Sequence, residues 1–168
     1  MTREIPCDLV RILILEAQDA AQVIVLREHG AARELPIYIG LPEALAIHRV
    51  IRGEESIRPF THDLFARVIG ELGAQVERVV VDKFVSEKQA GTFHAKMHIA
   101  QAGKRMVVDA RPSDAIALAV RLGTPLFVLE DVLVAASRDA QAAESPQEAA
   151  GPGDDEDADT DDGEDTDA

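Results

Sequence analysis

The sequence contains very few of the residues that cross-link a small domain or offer it a stacking surface: one cysteine, one tyrosine and no tryptophan among 168 residues. A single thiol cannot form an intramolecular disulfide, and Cys7 has no neighbouring cysteine or histidine that would share a metal with it. We therefore expect Cys7 to be a structural thiol. The scarcity of tyrosine and tryptophan also leaves few side chains on which nucleic-acid bases could stack.

Long apolar segments and common catalytic motifs are missing as well. The first residues, MTREIPCDLV, lack the apolar core of a secretory signal peptide, and no run of about 18 apolar residues would span a bilayer. These absences predict a cytoplasmic protein with no membrane partner. The sequence has no Walker loop and no GxSxG, CxxC or HExxH motif, so it lacks the signatures of P-loop NTPases, α/β-hydrolases, thioredoxin-like enzymes and zinc proteases.

Acidic residues are distributed unevenly along the chain. Thirteen of the 31 Asp and Glu residues, and none of the 17 Lys and Arg residues, follow Arg138. This last segment also has no Val, Ile, Leu or aromatic side chain, so it cannot bury enough apolar surface to fold. We predict a near-neutral folded domain over residues 1–138 and a disordered acidic tail over residues 139–168. The tail would either keep the protein soluble or mimic nucleic acid.

Hydrophobic periodicity predicts two groups of three strands, each followed by a helix, and then a final strand and a short helix. The first strand, around Val10, is apolar at both alternating sets of positions, which suits a strand covered on both faces. Helices are predicted after Leu41, after Thr61 as N-cap, and from Pro112 to a stop at Gly123. The second of these helices has one apolar face, formed by Leu64, Phe65, Val68, Ile69 and Leu72.

A short internal repeat relates the two groups at a spacing of 71 residues. GLPEALAI (Gly40–Ile47) aligns with RPSDAIAL (Arg111–Leu118), so Glu43 corresponds to Asp114. In each copy three strands lead into a helix whose first turn holds a proline and an acid. We therefore predict an α+β fold, in which a duplicated β-β-β-α unit forms a mostly antiparallel sheet or partial barrel with helices packed outside.

Two segments place Arg-Pro, a hydroxyl and an acid at a predicted helix start: RPFTHD (Arg58–Asp63) and RPSD (Arg111–Asp114). One interpretation is structural, because proline fixes the first turn, a hydroxyl caps a free N–H, an acid complements the helix dipole, and each arginine pairs with an acid. The other interpretation is chemical. A helix start with an arginine binds phosphate, carboxylates hold Mg²⁺ or Mn²⁺, and His62 transfers a proton, which together allow metal-assisted phosphodiester hydrolysis.

The chemical interpretation gives each of these residues a role. The predicted catalytic residues are His62, Asp63, Asp109 and Asp114. The predicted phosphate ligands are Arg58, Arg111 and Ser113. The predicted metal ligands are Asp109, Asp114 and Glu43. A helix start needs neither Asp109 nor Arg111, so these two residues carry most of the functional hypothesis.

Three motifs resemble those of one protein family. PIYIG-x-x-EA, RP-x-THD and D-A-RPSDAIALA occur in this order between about Val10 and Leu133. In all three the chain is similar to the bifunctional nuclease domain family. The resemblance implies an α+β fold, a bacterial or plant source, nuclease activity on DNA and RNA, and self-association. The family signatures carry over onto Glu43, Arg58, Thr61, His62, Asp63, Asp109, Arg111, Ser113 and Asp114.

Two function hypotheses follow. The first is a cytoplasmic, homo-oligomeric nuclease, both DNase and RNase, that uses Mg²⁺ or Mn²⁺. The second is a non-catalytic regulatory module, in which Arg58 and Arg111 make structural ion pairs and the helix starts bind an anion or a partner. An open groove with a positive rim that gathers Asp109, Asp114, Asp63 and His62 favours the nuclease. Burial of these residues in bonds to Arg58 and Arg111 favours the module.

Overall fold

The computed structural model of the chain describes residues 2–15, 21–85 and 91–144. Its strands are β1 (Glu4–Leu13), β2 (Gln22–Glu28), β3 (Glu34–Ile39), β4 (Ala74–Val85), β5 (Thr92–Gln101), β6 (Lys104–Ala110) and β7 (Leu126–Leu129). Its helices are α1 (Leu41–Ile51), α2 (Thr61–Glu71), α3 (Pro112–Leu122) and α4 (Glu130–Glu144). Three strands precede α1 and three more precede α3, as the repeat predicts.

The strands form one sheet in the order β3-β2-β1-β7-β4-β5-β6. Neighbouring strands are antiparallel except β4 and β7, which are parallel. The two three-stranded meanders therefore lie on either side of β7, and each ends at an outer strand from which α1 or α3 leaves. This arrangement confirms the predicted α+β fold with two β-β-β-α units in a mostly antiparallel sheet.

The core lies between the sheet and the helices. α1 packs against α3, and α3 also packs on β4 and β5. Both helices bury small alanine side chains, such as Ala44 on α1 and Ala117 on α3, which allows close approach of neighbouring elements. On β5 the alternate residues Ala95, Met97 and Ile99 are buried, as expected for a strand with one face toward the core.

Two predictions about helix starts are wrong. The N-cap of α2 is Phe60 rather than Thr61, because the Phe60 backbone N–H donates to the Asp63 carboxylate at 2.9 Å and Thr61 is already helical. No side-chain hydrogen bond caps α3, whose N-cap is Arg111, so Ser113 does not have the predicted capping role. The predicted end of α3 is confirmed, because Gly123 has a left-handed conformation with φ of 65°.

The prediction that the first strand is covered on both faces is wrong for its second half. Ile5 and Cys7 are buried, whereas Leu13 is exposed. β1 pairs with β7 over Glu4–Cys7 and with β2 over Cys7–Leu13, so the second half of β1 has no partner strand on the β7 side within the described sheet. Burial raises the pKa of the Cys7 thiol to about 11, which favours a structural role for this residue.

The apolar face predicted for α2 contributes little to the core. Ile69 is buried, but the other large apolar side chains of this face are exposed: Leu64, Phe65, Val68 and Leu72. α2 packs on α3 and β4, and its covered side carries His62, Ala66 and Ile69. A row of large apolar side chains therefore remains at the surface of this chain.

The last helix extends beyond the predicted domain boundary. α4 continues past Arg138 to Glu144. Residues 145–168, which form most of the predicted acidic tail, lie outside the described residues. None of the described helices combines the length and the apolar character needed to cross a lipid bilayer.

Shortening a core side chain on α1 tests this packing. Ile47 is fully buried, so Ile47→Ala leaves a cavity and should lower the free energy of unfolding by about 2–5 kcal/mol. Ile51→Ala makes the same change at an exposed position of α1 and should cost about 0.5 kcal/mol or less. Urea denaturation followed by circular dichroism measures both values. Equal losses would contradict the orientation of α1.

Candidate active site

Side chains from three helix starts meet in one hydrogen-bonded cluster. Glu43, His62 and Asp114 lie in the first turns of α1, α2 and α3, and Arg111 is the N-cap of α3. Proline is suited to the first positions of α1 and α3 because it has no backbone N–H that would need a partner. The acidic residues in these first turns interact favourably with the positive end of the helix dipole. We call Glu43, His62, Arg111 and Asp114 the Arg111 cluster.

Arg111 links equivalent carboxylates of the two repeat units. Its Nη2 donates to Glu43 Oε1 at 2.8 Å, and its Nε donates to Asp114 Oδ2 at 2.8 Å. The hydrogen bond and charge of Asp114, followed by those of Glu43, raise the pKa of the Arg111 guanidinium. The Arg111 side chain is nevertheless 67% exposed, so a positive group positioned by two carboxylates faces solvent.

His62 forms the other contact of Asp114. His62 Nε2 lies 3.1 Å from Asp114 Oδ1, and the histidine side chain is only 16% exposed. Burial raises the pKa of Asp114, but hydrogen bonds from Arg111 and His62 outweigh this effect, and the net pKa is lowered. Because the carboxylate is ionised near neutral pH, it can accept a hydrogen bond from His62 Nε2–H, which fixes the orientation of the ring.

Gly40 makes room for the first-repeat carboxylate. A Cβ added at Gly40 would overlap the Glu43 carboxylate, which folds back over the start of α1. Gly40 occupies the position that Arg111 occupies in the second repeat. Gly40 of the first repeat therefore leaves space for the Glu43 carboxylate, and Arg111 of the second repeat binds that carboxylate.

Asp63 has a structural position instead of joining the cluster. Its Oδ2 accepts the Phe60 backbone N–H, and its Oδ1 accepts Arg121 Nε from the last turn of α3. Burial alone would raise the pKa of the Asp63 carboxyl. The hydrogen bonds from Phe60 and Arg121 together have the larger effect, so the net pKa is lowered. Asp63 thus ties the start of α2 to the end of α3.

Three other predicted site residues lie apart from the cluster. Within the described part of the chain, no hydrogen bond or ion pair joins Arg58 or Asp109 to it. Arg58 is exposed before α2, and Asp109 is exposed on β6 opposite Lys96 of β5. Ser113 is buried in the first turn of α3.

The cluster opens into a surface groove of about 530 Å³. Apolar side chains of α1 line one part of the groove, and Phe60 and Thr61 line another. The Arg49 guanidinium lies 4.0 Å from the centre of the Phe60 ring, a cation–π contact at the groove wall. Sequence reasoning missed both residues, although Phe60 occupies the variable position of RP-x-THD; no local motif marks Arg49.

Residues 24–141, which contain the whole Arg111 cluster, match the family model described as the bifunctional nuclease domain. The chain belongs to the bifunctional nuclease domain family. The predicted resemblance is thereby confirmed.

Two sets of relatives share this domain. An uncharacterized protein of Mycobacterium tuberculosis, found in strains CDC 1551 / Oshkosh and ATCC 25618 / H37Rv, is 43% identical over 115 residues, which are 68% of this chain and 65% of the relative. Bifunctional nuclease 2 of Oryza sativa subsp. japonica is 30% identical over 109 residues, which are 62% of this chain and 32% of the relative. The chain therefore spans less than two thirds of the length of these relatives.

The predicted metal ligands of this bifunctional nuclease domain do not fit a metal centre as they are folded. Glu43 and Asp114 both accept hydrogen bonds from Arg111, so a positive charge already lies between them. Asp109 makes no contact with either carboxylate among the described hydrogen bonds and ion pairs. Across residues 2–15, 21–85 and 91–144, no group of three or more His, Cys, Asp or Glu side chains is arranged to hold an ion.

The lowered pKa of Asp114 predicts a pH-dependent contribution to stability. A folded-state pKa below the ordinary value of 3.8 stabilises the fold above about pH 4, and this contribution is lost as the pH falls through the folded-state pKa. Asp114→Asn should lower the free energy of unfolding at pH 7, and its difference from wild type should shrink below about pH 4. Urea denaturation across this range measures the difference, with Asp131→Asn on α4 as a control. A difference that is independent of pH would contradict the ionic role of Asp114.

Proposed function

We propose that the chain is a nuclease that hydrolyses phosphodiester bonds in DNA and RNA, with the Arg111 cluster as its active site. Family membership and a relative named Bifunctional nuclease 2 support a nuclease-related function. The observation that carries the proposal is a histidine held by an ionised carboxylate beside an exposed arginine in one groove. Phosphodiester hydrolysis needs such a proton acceptor and a positive charge near the phosphate.

His62 is the proposed general base. Its Nε2–H donates to Asp114, which fixes the ring and leaves Nδ1 to accept a proton from water. The water oxygen then bonds to phosphorus, the P–O bond to the leaving sugar oxygen breaks, and the protonated His62 returns a proton to that oxygen. Asp114 is a positioning residue in this scheme, since it acts through His62 and Arg111.

Arg111 is the proposed phosphate ligand. Glu43 and Asp114 bind its Nε and Nη2, whereas its Nη1 makes no hydrogen bond to any described residue. Nη1 can therefore donate to a non-bridging phosphate oxygen and stabilise the negative charge of the transition state. Arg58 is exposed outside the hydrogen-bonded cluster, so we assign it to substrate that extends beyond the groove. Ser113 is buried, so we assign its side chain no contact with substrate.

A divalent ion remains a prediction without an assigned site. Because Arg111 binds the carboxylate oxygens of Glu43 and Asp114, the proposed hydrolysis uses the charge of Arg111 in place of Mg²⁺ or Mn²⁺. A charge-based mechanism through Arg111 predicts that cleavage continues in EDTA. Complete loss of cleavage in EDTA, with recovery in Mn²⁺ or Mg²⁺, would instead require the carboxylates to rearrange around an ion.

One observation favours the alternative of a non-catalytic module. With His62 neutral, the Arg111 cluster has two carboxylates and one arginine, so its net charge is negative and repels a polyanion. In that case Arg111 holds the two repeat units together, and the helix starts bind a small anion or a partner. Binding of a small anion such as inorganic phosphate by purified protein that cleaves neither DNA nor RNA would favour this function.

The remaining predictions concern the whole protein. We infer that it acts in the cytoplasm on both DNA and RNA and that it forms a homo-oligomer. The last of these is testable by mass measurement and is independent of catalysis.

Substitutions in the Arg111 cluster test the nuclease directly. His62→Gln should lower the cleavage rate by about 100-fold or more, because it removes the proton acceptor. Arg111→Lys should cause a loss of about 100-fold, since a lysine cannot bind two carboxylates and a phosphate with one planar group. The assay follows single- and double-stranded DNA and RNA with highly purified protein.

Arg78→Lys is the matched control for this assay. Arg78 also binds a carboxylate, that of Glu4, but it lies on β4 outside the groove. This variant should cleave at the wild-type rate. Equal cleavage by wild type and His62→Gln would contradict the proposed base and would indicate a contaminating nuclease.

A further inference from the structure

The outermost strand β6 has an unusually open edge. It pairs with β5 through seven consecutive residue pairs without a bulge, and it has no other strand neighbour in the described sheet. Met106, Val107 and Val108 at its centre are 42%, 55% and 40% exposed. An edge strand that is flat, apolar and without proline is a template for pairing with another strand.

The opposite edge of the sheet is protected by comparison. β3 contains Pro36, which lacks the backbone N–H that a new strand would need. The exposed apolar centre of β6 is flanked by Lys104 and Arg105 on one side and by Asp109 on the other. The two edges therefore differ, and only β6 offers an unbroken ladder with charged ends of opposite sign.

We propose that β6 pairs antiparallel with β6 of a second copy of this chain, across a twofold axis at Val107. This register places Arg105 opposite the partner's Asp109, Met106 opposite the partner's Val108, and Val107 opposite the partner's Val107. It rests on the self-association inferred above and does not depend on nuclease activity.

The pairing is complementary on both faces of the sheet. In the existing β5–β6 ladder Met106 and Val108 lie opposite the buried side chains Ile99 and Met97, so they point toward the core face. In the dimer these apolar side chains meet each other and extend the core across the axis. On the other face two Arg105–Asp109 ion pairs flank the central valines.

Charge selects this arrangement over other self-pairings. A parallel pair in register would place Arg105 beside Arg105 and Asp109 beside Asp109, which repel. Arg105 already contacts Glu77 at 3.1 Å, but its side chain is 80% exposed, so little stability is lost if it turns to the second copy. The self-complementary contact closes after two copies, as a twofold interface requires.

Light scattering during gel filtration of the full chain tests the proposal. Wild type should have twice the mass of the 18.1 kDa chain, and Val107→Lys should be monomeric because it places two ammonium groups at the axis. Val68→Lys introduces the same charge on the exposed apolar face of α2 and should remain dimeric. Thermal unfolding of each variant checks that it folds.

Two results would overturn the proposal. If the wild-type protein is monomeric at all concentrations, β6 does not pair with a second copy of the chain. A monomeric Val68→Lys beside a dimeric Val107→Lys would assign self-association to α2. Neither result bears on cleavage, so failure of this interface is distinguishable from failure of the nuclease.

Charge reversal and cross-linking test the register. Arg105→Asp should weaken the dimer by about ten-fold or more, and Arg105→Asp/Asp109→Arg should restore it by reversing both members of each pair. Val107→Cys should form a covalent dimer on oxidation, because opposed residues of antiparallel strands lie within disulfide range. The native Cys7 is buried and does not compete. Equal cross-linking of Val68→Cys, or no restoration by the double variant, would contradict the register.

Discussion

The arrangement of the candidate site depends on one guanidinium group. Arg111 is bound by Glu43 from one β-β-β-α unit and by Asp114 from the other, and Asp114 in turn holds His62 of α2. Without this cation, two carboxylates at neighbouring helix starts would repel each other. The interaction therefore stabilises the junction of the two units and gives Arg111 and His62 fixed positions in the groove.

The duplicated fold explains why the junction has this composition. The two meanders lie on either side of β7, and their helices α1 and α3 pack together, so the starts of the two helices come close in space. Symmetry alone would place two acids at equivalent positions. The first repeat has glycine at position 40, whereas the second has arginine at the equivalent position 111. The charge of Arg111 holds together the Glu43 and Asp114 carboxylates, which would otherwise repel each other.

Much of the fold could be predicted from the sequence because it follows from local pattern. The stop at Gly123 and the helix starts that hold Glu43 and Asp114 depend on neighbouring residues, and the structure has them as predicted. The apolar face of α2 misled the prediction because periodicity shows that a helix is amphipathic but does not show what covers it. For β1, the apolar pattern gave no sign that Leu13 would be left exposed.

The sequence singled out the residues of the Arg111 cluster as candidates, but it did not predict which contacts they make. Glu43, His62, Arg111 and Asp114 were singled out by residue type at helix starts, and they do meet. The same pattern could not decide that Asp63 would bind Arg121, or that Asp109 would lie opposite Lys96, because those partners are fixed by the packing of distant elements. The local sequence identifies which charged residues are candidates for the site, whereas the tertiary structure determines which of them form ion pairs.

A double-mutant cycle between Glu43→Gln and His62→Gln tests most directly whether the Arg111 cluster acts as one unit. Among the hydrogen bonds of the described residues, none joins Glu43 to His62 directly, and the two are linked through Arg111 and Asp114. We expect the loss of cleavage rate in the double variant to be much smaller than the product of the two single losses, as for residues that act together. Independent effects, with fold-losses that multiply, would contradict the account.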